Sequence, residues 1–233
     1  MDVDTMSINL AAKEEDRMIK GTPELVAERR EEIVNACEKL YRTTSFKEIT
    51  LKEIGNEVPF SRPTIYNYFG TKEEIFLALF KREYDRWNCD LTAILDGHDA
   101  MEPEELARAV AGSLAKREQL LKLLSMNNFD MEANSRQEML TAFKSSYGES
   151  LRLIRALLRK FCPDMTEEDI RTFLYIFFPF MFGIYPYAAV TEKQRAAMAE
   201  AGVDFVYRSV YELAYHCLTR LLGGEAKAKE KGD

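Results

Sequence analysis

The sequence predicts an all-α protein in which a small helical domain is followed by a larger one. Apolar residues recur with the 3.6-residue period of an α-helix along the whole chain, and no stretch keeps the alternation of apolar and polar residues that indicates a β-strand. Proline, glycine and capping residues divide this pattern into separate helices. With 233 residues and a hydrophobic share of 46%, the chain can bury a sizeable core.

The first helix is expected to begin at Thr22-Pro23, because threonine caps helices and proline suits the first turn, and to reach about Arg42. Residues 1–21 are polar and of mixed charge, which predicts a flexible arm. Residues 22–70 would form the first domain. Residues 71–223 would form the second, and residues 224–233 a charged tail.

Residues 50–72, TLKEIGNEVPFSRPTIYNYFGTK, predict two short helices joined by a tight turn. Thr50 and Glu53 have the spacing of a capping box at the start of the first helix. Pro59 cannot continue that helix, since proline has no amide hydrogen to donate. Ser61 is expected to cap the second helix, with Pro63 in its first turn.

The second helix, of about two turns, is predicted to bury Ile65, Tyr68 and Phe69, which have i, i+3, i+4 spacing. Its outer face keeps a compact set of hydrogen-bonding groups, and such helices read base edges in DNA. Arginine suits guanine and asparagine suits adenine. We therefore expect base contacts from Arg62, Thr64 and Asn67. Pro63 is expected to touch a thymine methyl group, and Thr50 and Ser61 to form hydrogen bonds to the DNA backbone.

Charge is distributed unevenly along the chain. The formal net charge is −7, but residues 39–72 contain six basic and three acidic side chains, a local balance of +3. A small basic face can hold phosphates while the acidic remainder limits non-specific binding. Affinity should then depend on direct base readout and on two copies of the face.

The second domain is predicted to contain long helices. The fourth helix should start at Thr71, with Glu74 completing a second capping box, and reach about Leu95. Further helices are expected at about 103–124, 136–161, 166–188 and 203–222. Residues 126–134 and 191–202 are expected to break the helical pattern.

The amino-terminal pattern resembles the helix-turn-helix of the TetR family of bacterial transcriptional regulators, over about residues 25–80. The residues that carry the resemblance are Ile33, Ala36, Leu40, Tyr41, Phe46, Thr50, the run TIYNYF from Thr64 to Phe69, and TKEE from Thr71. Family members commonly have glycine where this chain has Pro59, so the turn is expected to differ in detail. The resemblance implies that Tyr66 and Lys72 hold DNA phosphates.

Residues 126–187 are rich in aromatic side chains and methionine, which suit a core but also a second subunit or a ligand. The resemblance implies a homodimer formed by the last two long helices and a cavity for a small effector, here a lipophilic or aromatic compound. The expected ligand contacts are Trp87, Met126, Phe129, Phe143, Phe173, Phe177 and Tyr185. The expected dimer contacts are Phe205, Val206, Val210, Leu213 and Cys217.

The function predicted from the sequence is a DNA-binding transcriptional regulator, commonly a repressor released from a pseudo-palindromic operator by its ligand. The alternative is a helix-turn-helix fold that binds only proteins. Catalysis is not expected, since the chain has no nucleophile elbow or phosphate-binding glycine loop. The four scattered cysteines and two histidines indicate neither metal nor cofactor, and no apolar run reaches the roughly 18 residues of a membrane span, so we expect a cytoplasmic protein.

Overall fold

A computed structural model describes residues 22–126 and 128–223. The regular secondary structure of these residues is entirely α-helical, as predicted. The predicted arm at residues 1–21 and the tail at residues 224–233 lie outside the described residues. The helices, numbered along the chain, are α1 Pro23–Thr43, α2 Leu51–Asn56, α3 Arg62–Ile65, α4 Lys72–Asp96, α5 Pro103–Ala115, α6 Glu118–Leu124, α7 Asn128–Ala133, α8 Gln137–Phe161, α9 Glu167–Ala188, α10 Glu192–Glu200 and α11 Val210–Gly223.

The described chain divides into two compact units. The first unit contains residues 22–79 together with the segment Asp130–Met139. The second contains Phe80–Phe129 and the chain from Leu140 onward. Helices α4 and α8 therefore each begin in the first unit and continue along the chain into the second.

The core of the first unit is built around aromatic rings. Phe76 receives Tyr41 edge-on at a centroid distance of 5.2 Å and Phe46 at 4.7 Å. Ile54 of α2 and Ile65 of α3 are fully buried beside them in the same unit. Edge-to-face aromatic contacts add to the stabilisation that apolar burial provides, so Phe76 of α4 holds both α1 and the loop that follows α1.

The core of the second unit contains Trp87, which is fully buried. Its indole Nε1–H donates to Ser113 Oγ at 2.9 Å, and its ring lies 6.1 Å from that of Phe178. The buried Ser150 hydroxyl donates to Asn88 Oδ1 at 2.6 Å, so these two polar side chains are partners. Paired polar groups avoid the cost of burying an unsatisfied donor.

The predicted helices α1, α4, α8 and α9 are confirmed to within one residue at each end. The predicted helix at 103–124 is wrong, because the chain leaves helical geometry at Arg117 (φ −116°, ψ 42°) between α5 and α6. The Arg117 guanidinium pairs there with Asp90 of α4 at 2.7 Å. The stretch 126–134, expected to be broken, contains the short helix α7.

The region after α9 also differs from the prediction. Helix α10 occupies most of the expected break at 191–202, and Thr191 and Gln194 cap its start with a capping box. It ends at Glu200, and Gly202 follows with a φ of +65°, which glycine adopts without steric cost. The Val203 N–H donates to Met198 O and the Gly202 N–H to Ala199 O, which is the Schellman arrangement.

Residues 203–209 are not helical, so the predicted helix at 203–222 begins only at Val210. Ser209 and Glu212 form reciprocal hydrogen bonds, from Ser209 N–H to Glu212 Oε2 at 2.8 Å and from Glu212 N–H to Ser209 Oγ at 3.2 Å. This capping box marks the start of α11. Phe205 and Val206 were predicted to lie within the helix, but they precede it.

Two further features of the described residues are the apolar length of the helices and the exposure of the cysteines. No single helix there is long and apolar enough to cross a membrane, whereas α9 and α10, bent by 85°, meet the length and composition criteria together. Cys37 and Cys162 are buried, Cys217 is half-buried, and Cys89 is exposed on α4.

Candidate DNA-binding surface

The first helix of the predicted pair is α2, and its cap forms as expected. The Thr50 hydroxyl accepts hydrogen bonds from Lys52 N at 3.2 Å and Glu53 N at 3.4 Å, while the Glu53 carboxylate accepts from Thr50 N at 3.1 Å. Thr50 is exposed, but its hydroxyl also bonds Glu53. Its side chain is therefore occupied mainly in capping.

The turn between α2 and α3 needs no left-handed residue. Within the described residues the positive φ values are confined to Gly202, so Pro59 sits in a bend with ordinary backbone angles. The Arg29 guanidinium of α1 lies 4.7 Å from the centroid of the Phe60 ring. This cation–π contact ties the turn to the first helix.

The second helix is shorter than predicted. Residues 62–69, here called the reading segment, contain one regular turn, α3, followed by a tighter turn in which Asn67 N–H donates to Thr64 O and Tyr68 N–H to Ile65 O. The i→i+3 pattern of these two bonds is that of a 3₁₀ turn, which is common where short helices end.

Ser61 does not cap the reading segment as predicted. It occupies the N-cap position with extended angles, but its side chain makes no hydrogen bond to the helix backbone. Its hydroxyl lies 2.9 Å from the Thr64 hydroxyl instead. The contact with the Thr64 hydroxyl takes the place of a capping hydrogen bond from Ser61. Ser61 is exposed and Thr64 is half-buried.

The two faces of the reading segment divide as predicted. Ile65 and Phe69 are fully buried, and Tyr68 is 5% exposed. On the other face, Arg62, Pro63 and Asn67 are exposed, Thr64 is half-buried and Tyr66 is 45% exposed. Arg62 Nη2 donates to the Tyr66 hydroxyl at 3.4 Å, so the guanidinium and the phenol lie side by side.

Lys72 has a structural role that the sequence did not reveal. Its ammonium donates to Phe46 O at 2.8 Å and Ile49 O at 3.0 Å, and it lies 4.1 Å from the centroid of the Phe46 ring. An ammonium has three donors, so one remains for the predicted phosphate contact.

The residues predicted for a ligand pocket lie in the second unit and differ in their exposure. Trp87, Phe143, Phe173 and Phe177 are buried in its core, Met126 and Tyr185 are half-buried, and Phe129 is 83% exposed. A groove of about 580 Å³ lies elsewhere in this unit. It is lined by Pro186, Tyr187, Val190, Gln194, Ala197, Met198, Phe205 and Tyr207.

The residues predicted for a dimer interface are spread over two elements. Phe205 and Val206 lie in the non-helical segment before α11, and Val206 is 66% exposed. Val210, Leu213 and Cys217 follow on α11 and are half-buried. Burial raises the pKa of the Cys217 thiol to about 11, so it behaves as an apolar side chain.

Metal chemistry has no support in the described part of the chain. Among residues 22–126 and 128–223, no three histidine, cysteine, aspartate or glutamate side chains are grouped so that they could hold an ion.

The fold and the exposed reading segment define a helix-turn-helix protein with a larger helical unit. The chain matches the family described as "Bacterial regulatory proteins, tetR family" over residues 33–79 and "Tetracyclin repressor-like, C-terminal domain" over residues 81–224. The second match alone covers more than half of the chain. The chain belongs to the TetR family of bacterial transcriptional regulators.

One curated relative and two solved structures illustrate the similarity. The HTH-type transcriptional regulator HbdR of Aromatoleum sp. (strain CIB) is 28% identical over 90 residues, which are 39% of this chain and 39% of the relative. Thermus thermophilus FadR, solved with lauroyl-CoA, is 21% identical with a TM-score of 0.54, covering 84% of this chain and 94% of its own. Bacillus subtilis FadR, solved with stearoyl-CoA, is 15% identical with a TM-score of 0.55, covering 83% and 97%. Identities this low establish the fold alone.

Replacing Lys72 by alanine is expected to lower the free energy of unfolding by about 1 to 3 kcal/mol, because the Phe46 and Ile49 carbonyls lose their charged donor. Lys52→Ala is the matched control, since Lys52 is exposed on α2, and its effect should stay within about 0.5 kcal/mol. Urea denaturation measures both. Equal stability of the two variants would show that Lys72 has no structural role.

Proposed function

We propose that this protein is a homodimeric, sequence-specific DNA-binding regulator that represses transcription and is released from its operator by a lipophilic ligand. The observation that carries the proposal is the division of the reading segment. Ile65 and Phe69 anchor one face in the core, while Arg62 and Asn67 project from the other. Family membership supports the same class of function.

The proposed readout follows from the chemistry of the exposed side chains. The Arg62 guanidinium can donate two parallel hydrogen bonds to guanine O6 and N7, and the Asn67 amide can pair with adenine N6 and N7. Thr64 lies between them in sequence and carries both a hydroxyl and a methyl group. Tyr66, beside Arg62, would contact a phosphate and fix the register of the segment in the major groove.

Two of the six basic side chains in residues 39–72 are already paired with carboxylates. Lys39 pairs with Glu57 at 2.5 Å and Arg42 with Glu38 at 3.0 Å, whereas Lys47 and Lys52 are exposed. Ion-paired cations release fewer counterions when a phosphate approaches. The salt dependence of binding should accordingly be shallow for a DNA-binding protein, and base contacts should supply much of the specificity.

A second copy of the chain is supported by the outer face of α9. The inner face is buried, but large apolar side chains on the opposite face are exposed: Tyr175 by 76%, Ile176 by 47%, Phe182 by 40% and Tyr187 by 58%. Their spacing follows the helical period, so they form one stripe on one side of α9. A contiguous apolar stripe of this kind is typical of a protein interface. Two reading segments related by a dyad would then meet half-sites about 34 to 36 Å apart, or a multiple of that distance.

A lipophilic effector is supported by the composition of the second unit and by the family. Its core combines Trp87, Tyr84 and Phe143 with the buried polar groups of Asn88 and Ser150. If such a core opened, its aromatic rings would contact the lipophilic part of a ligand. Its few hydrogen-bonding groups would contact the polar part. The two FadR proteins of similar fold were solved with lauroyl-CoA and stearoyl-CoA, which makes long-chain acyl compounds the first to test.

The alternative, a helix-turn-helix fold that binds only proteins, is separated by one experiment. Genomic fragments retained by the purified protein are sequenced, and the enriched sites are tested by gel shift. Enrichment of one pseudo-palindromic sequence supports the proposal, whereas equal recovery of all fragments supports the alternative.

Arg62→Ala is expected to relax base preference at one position in each half-site, at a cost of about 1 to 3 kcal/mol per lost contact. Lys52→Ala removes an equal charge from α2 and should weaken binding to all sequences alike. Fluorescence anisotropy with the selected operator and its single-base variants measures both effects. If the two variants change base preference in the same way, the assignment of Arg62 to base readout is wrong.

Phe182→Glu is expected to convert the dimer into monomers, because it places a charge within the apolar stripe of α9. Operator affinity should fall by at least about tenfold, since the two half-sites are no longer bound together. Thr92→Glu adds the same charge at an exposed position of α4 and should leave both properties unchanged. Sedimentation velocity measures the mass, and a dimeric Phe182→Glu protein would exclude this interface.

A long-chain acyl-CoA is expected to lower operator affinity by about 5- to 150-fold, the usual range of allosteric coupling. Operator binding is titrated with lauroyl-CoA, stearoyl-CoA, free coenzyme A and an aromatic carboxylic acid. Coenzyme A alone should have no effect if the lipophilic chain provides the binding energy. If none of the lipophilic compounds changes the affinity, the proposed class of effector is wrong.

A further inference from the structure

The segment Asp130–Met139 belongs to the first unit although the fifty residues Phe80–Phe129 separate it from Leu79 in the chain. The family match for the DNA-binding region ends at residue 79 and does not include it. The Thr71 hydroxyl donates to Asn134 O at 3.0 Å, and Arg30 of α1 contacts the Met139 sulfur at 3.1 Å. These contacts place the segment beside the carboxyl end of the reading segment.

Arg136 forms the central contact of this segment. Its Nε donates to Glu74 Oε1 and its Nη2 to Glu74 Oε2, both at 2.7 Å, and its backbone N–H donates to Oε1 at 3.1 Å. The Glu74 side chain is only 2% exposed, whereas that of Arg136 is 48% exposed. Two parallel bonds between a guanidinium and a carboxylate are stronger and more directional than a single ion pair.

Glu74 connects this ion pair to the reading segment. The sequence predicted that its carboxylate would return to the Thr71 backbone, but Oε2 instead accepts the Gly70 N–H at 2.7 Å. Only the other half of the predicted capping box forms, from Glu74 N–H to Thr71 Oγ1 at 3.2 Å. Burial alone would raise the pKa of the Glu74 carboxyl, but the bonds from Arg136 and Gly70 outweigh it and hold the pKa below its ordinary value.

The Tyr68 carbonyl is held by two guanidinium groups. Arg30 Nη1 donates to Tyr68 O at 3.2 Å and Arg136 Nη2 at 3.4 Å. The Arg30 guanidinium also lies 4.5 Å from the centroid of the Phe69 ring. The carbonyls at the end of a helix have no partner within the helix. The two guanidinium groups therefore supply hydrogen bonds to the Tyr68 carbonyl at the carboxyl end of the reading segment.

The reading segment depends on such external contacts because it is short. It has one regular helical turn, and Ser61 provides no side-chain cap at its start. A helix of this length does not persist by its own hydrogen bonds. Its pose is therefore set by the buried face and by the groups that hold residues 68–70.

We propose that Arg136 is a positioning residue for DNA recognition, which orients the reading segment through Glu74 and the Tyr68 carbonyl. This inference rests on the proposed DNA-binding function and adds its regulation. Arg136 immediately precedes α8, and the residues of α8 from Leu140 onward belong to the second unit. A displacement of α8 along its axis changes the Arg136–Glu74 contact and, with it, the orientation of Arg62 and Asn67.

The test uses the full chain and the variants Arg136→Gln, Arg136→Lys and Glu74→Gln. Arg155→Gln is the control, because it removes an exposed ion pair with Glu167 (3.1 Å) in the second unit. Hydrogen exchange of the amides at positions 65–70 is measured without DNA. Affinities for the selected operator and for a random duplex of the same length are measured in parallel.

Arg136→Gln should increase exchange of the Tyr68, Phe69 and Gly70 amides and lower operator affinity about tenfold, while affinity for random DNA stays the same. Arg136→Lys should recover part of the loss, since an ammonium keeps the charge but cannot form two parallel bonds. Glu74→Gln keeps an acceptor for Gly70 and should resemble Arg136→Gln. The Arg155→Gln protein should match the wild type in both measurements.

Two results would overturn the inference. The first is wild-type exchange and a wild-type ratio of operator to random affinity in Arg136→Gln. The second is a uniform rise in exchange over the whole first unit with a parallel loss of both affinities, which would show that Arg136 only stabilises the fold. If the wild-type protein shows no operator preference, the DNA-binding proposal fails, and the exchange data alone decide whether Arg136 holds the reading segment.

Discussion

The structure depends on one constraint: a reading segment with a single regular helical turn cannot fix its own orientation. Nucleating a helix costs more than one turn of hydrogen bonds returns, so the surrounding unit must supply the difference. Ile65 and Phe69, both fully buried, anchor its inner face. Glu74 and the two arginines at the Tyr68 carbonyl hold its carboxyl end. The exposed Arg62 and Asn67 therefore point where these anchors direct them, and any recognition of bases is only as well defined as the anchors.

This constraint explains why the first unit is discontinuous in sequence. The groups that satisfy the end of the reading segment come from α1, from the start of α4 and from the segment Asp130–Met139. Arg136, in the last of these, lies 62 residues beyond Glu74. In the proposed regulation, α8 connects Arg136 to the second unit through the chain itself. The Arg136 side chain is 48% exposed and that of Glu74 only 2%, so solvent reaches this contact from the Arg136 side.

Local signals in the sequence predicted most of the fold, and long-range contacts account for what was missed. Caps and periodicity placed α1, α4, α8 and α9 correctly, since capping is decided within four residues. The same signal was present at Thr191-Gln194 and Ser209-Glu212 and would have located α10 and the start of α11. By contrast, Glu74 has the spacing of a capping box, and no pattern in sequence could show that Gly70 and Arg136 compete for its carboxylate. Lys72 is a similar case, because its two carbonyl partners precede it by more than twenty residues. Aromatic composition also could not separate buried from exposed positions, since buried Trp87 and exposed Phe129 belong to the same class of residue.

The acidic character of the chain is consistent with recognition by shape and base contacts rather than by charge. A net charge of −7 repels DNA at long range, and two of the six basic side chains in residues 39–72 are already paired with carboxylates. In the proposed DNA complex, fewer phosphate contacts mean less non-specific affinity, so a larger share of the binding free energy would come from the bases and from the second half-site. Such a protein is sensitive to small changes in the pose of its reading segment, because it has little sequence-independent affinity to compensate for a lost base contact. With weak electrostatic attraction, the proposed DNA binding depends on the orientation of the reading segment. In the proposed mechanism, the Arg136–Glu74 contact controls this orientation.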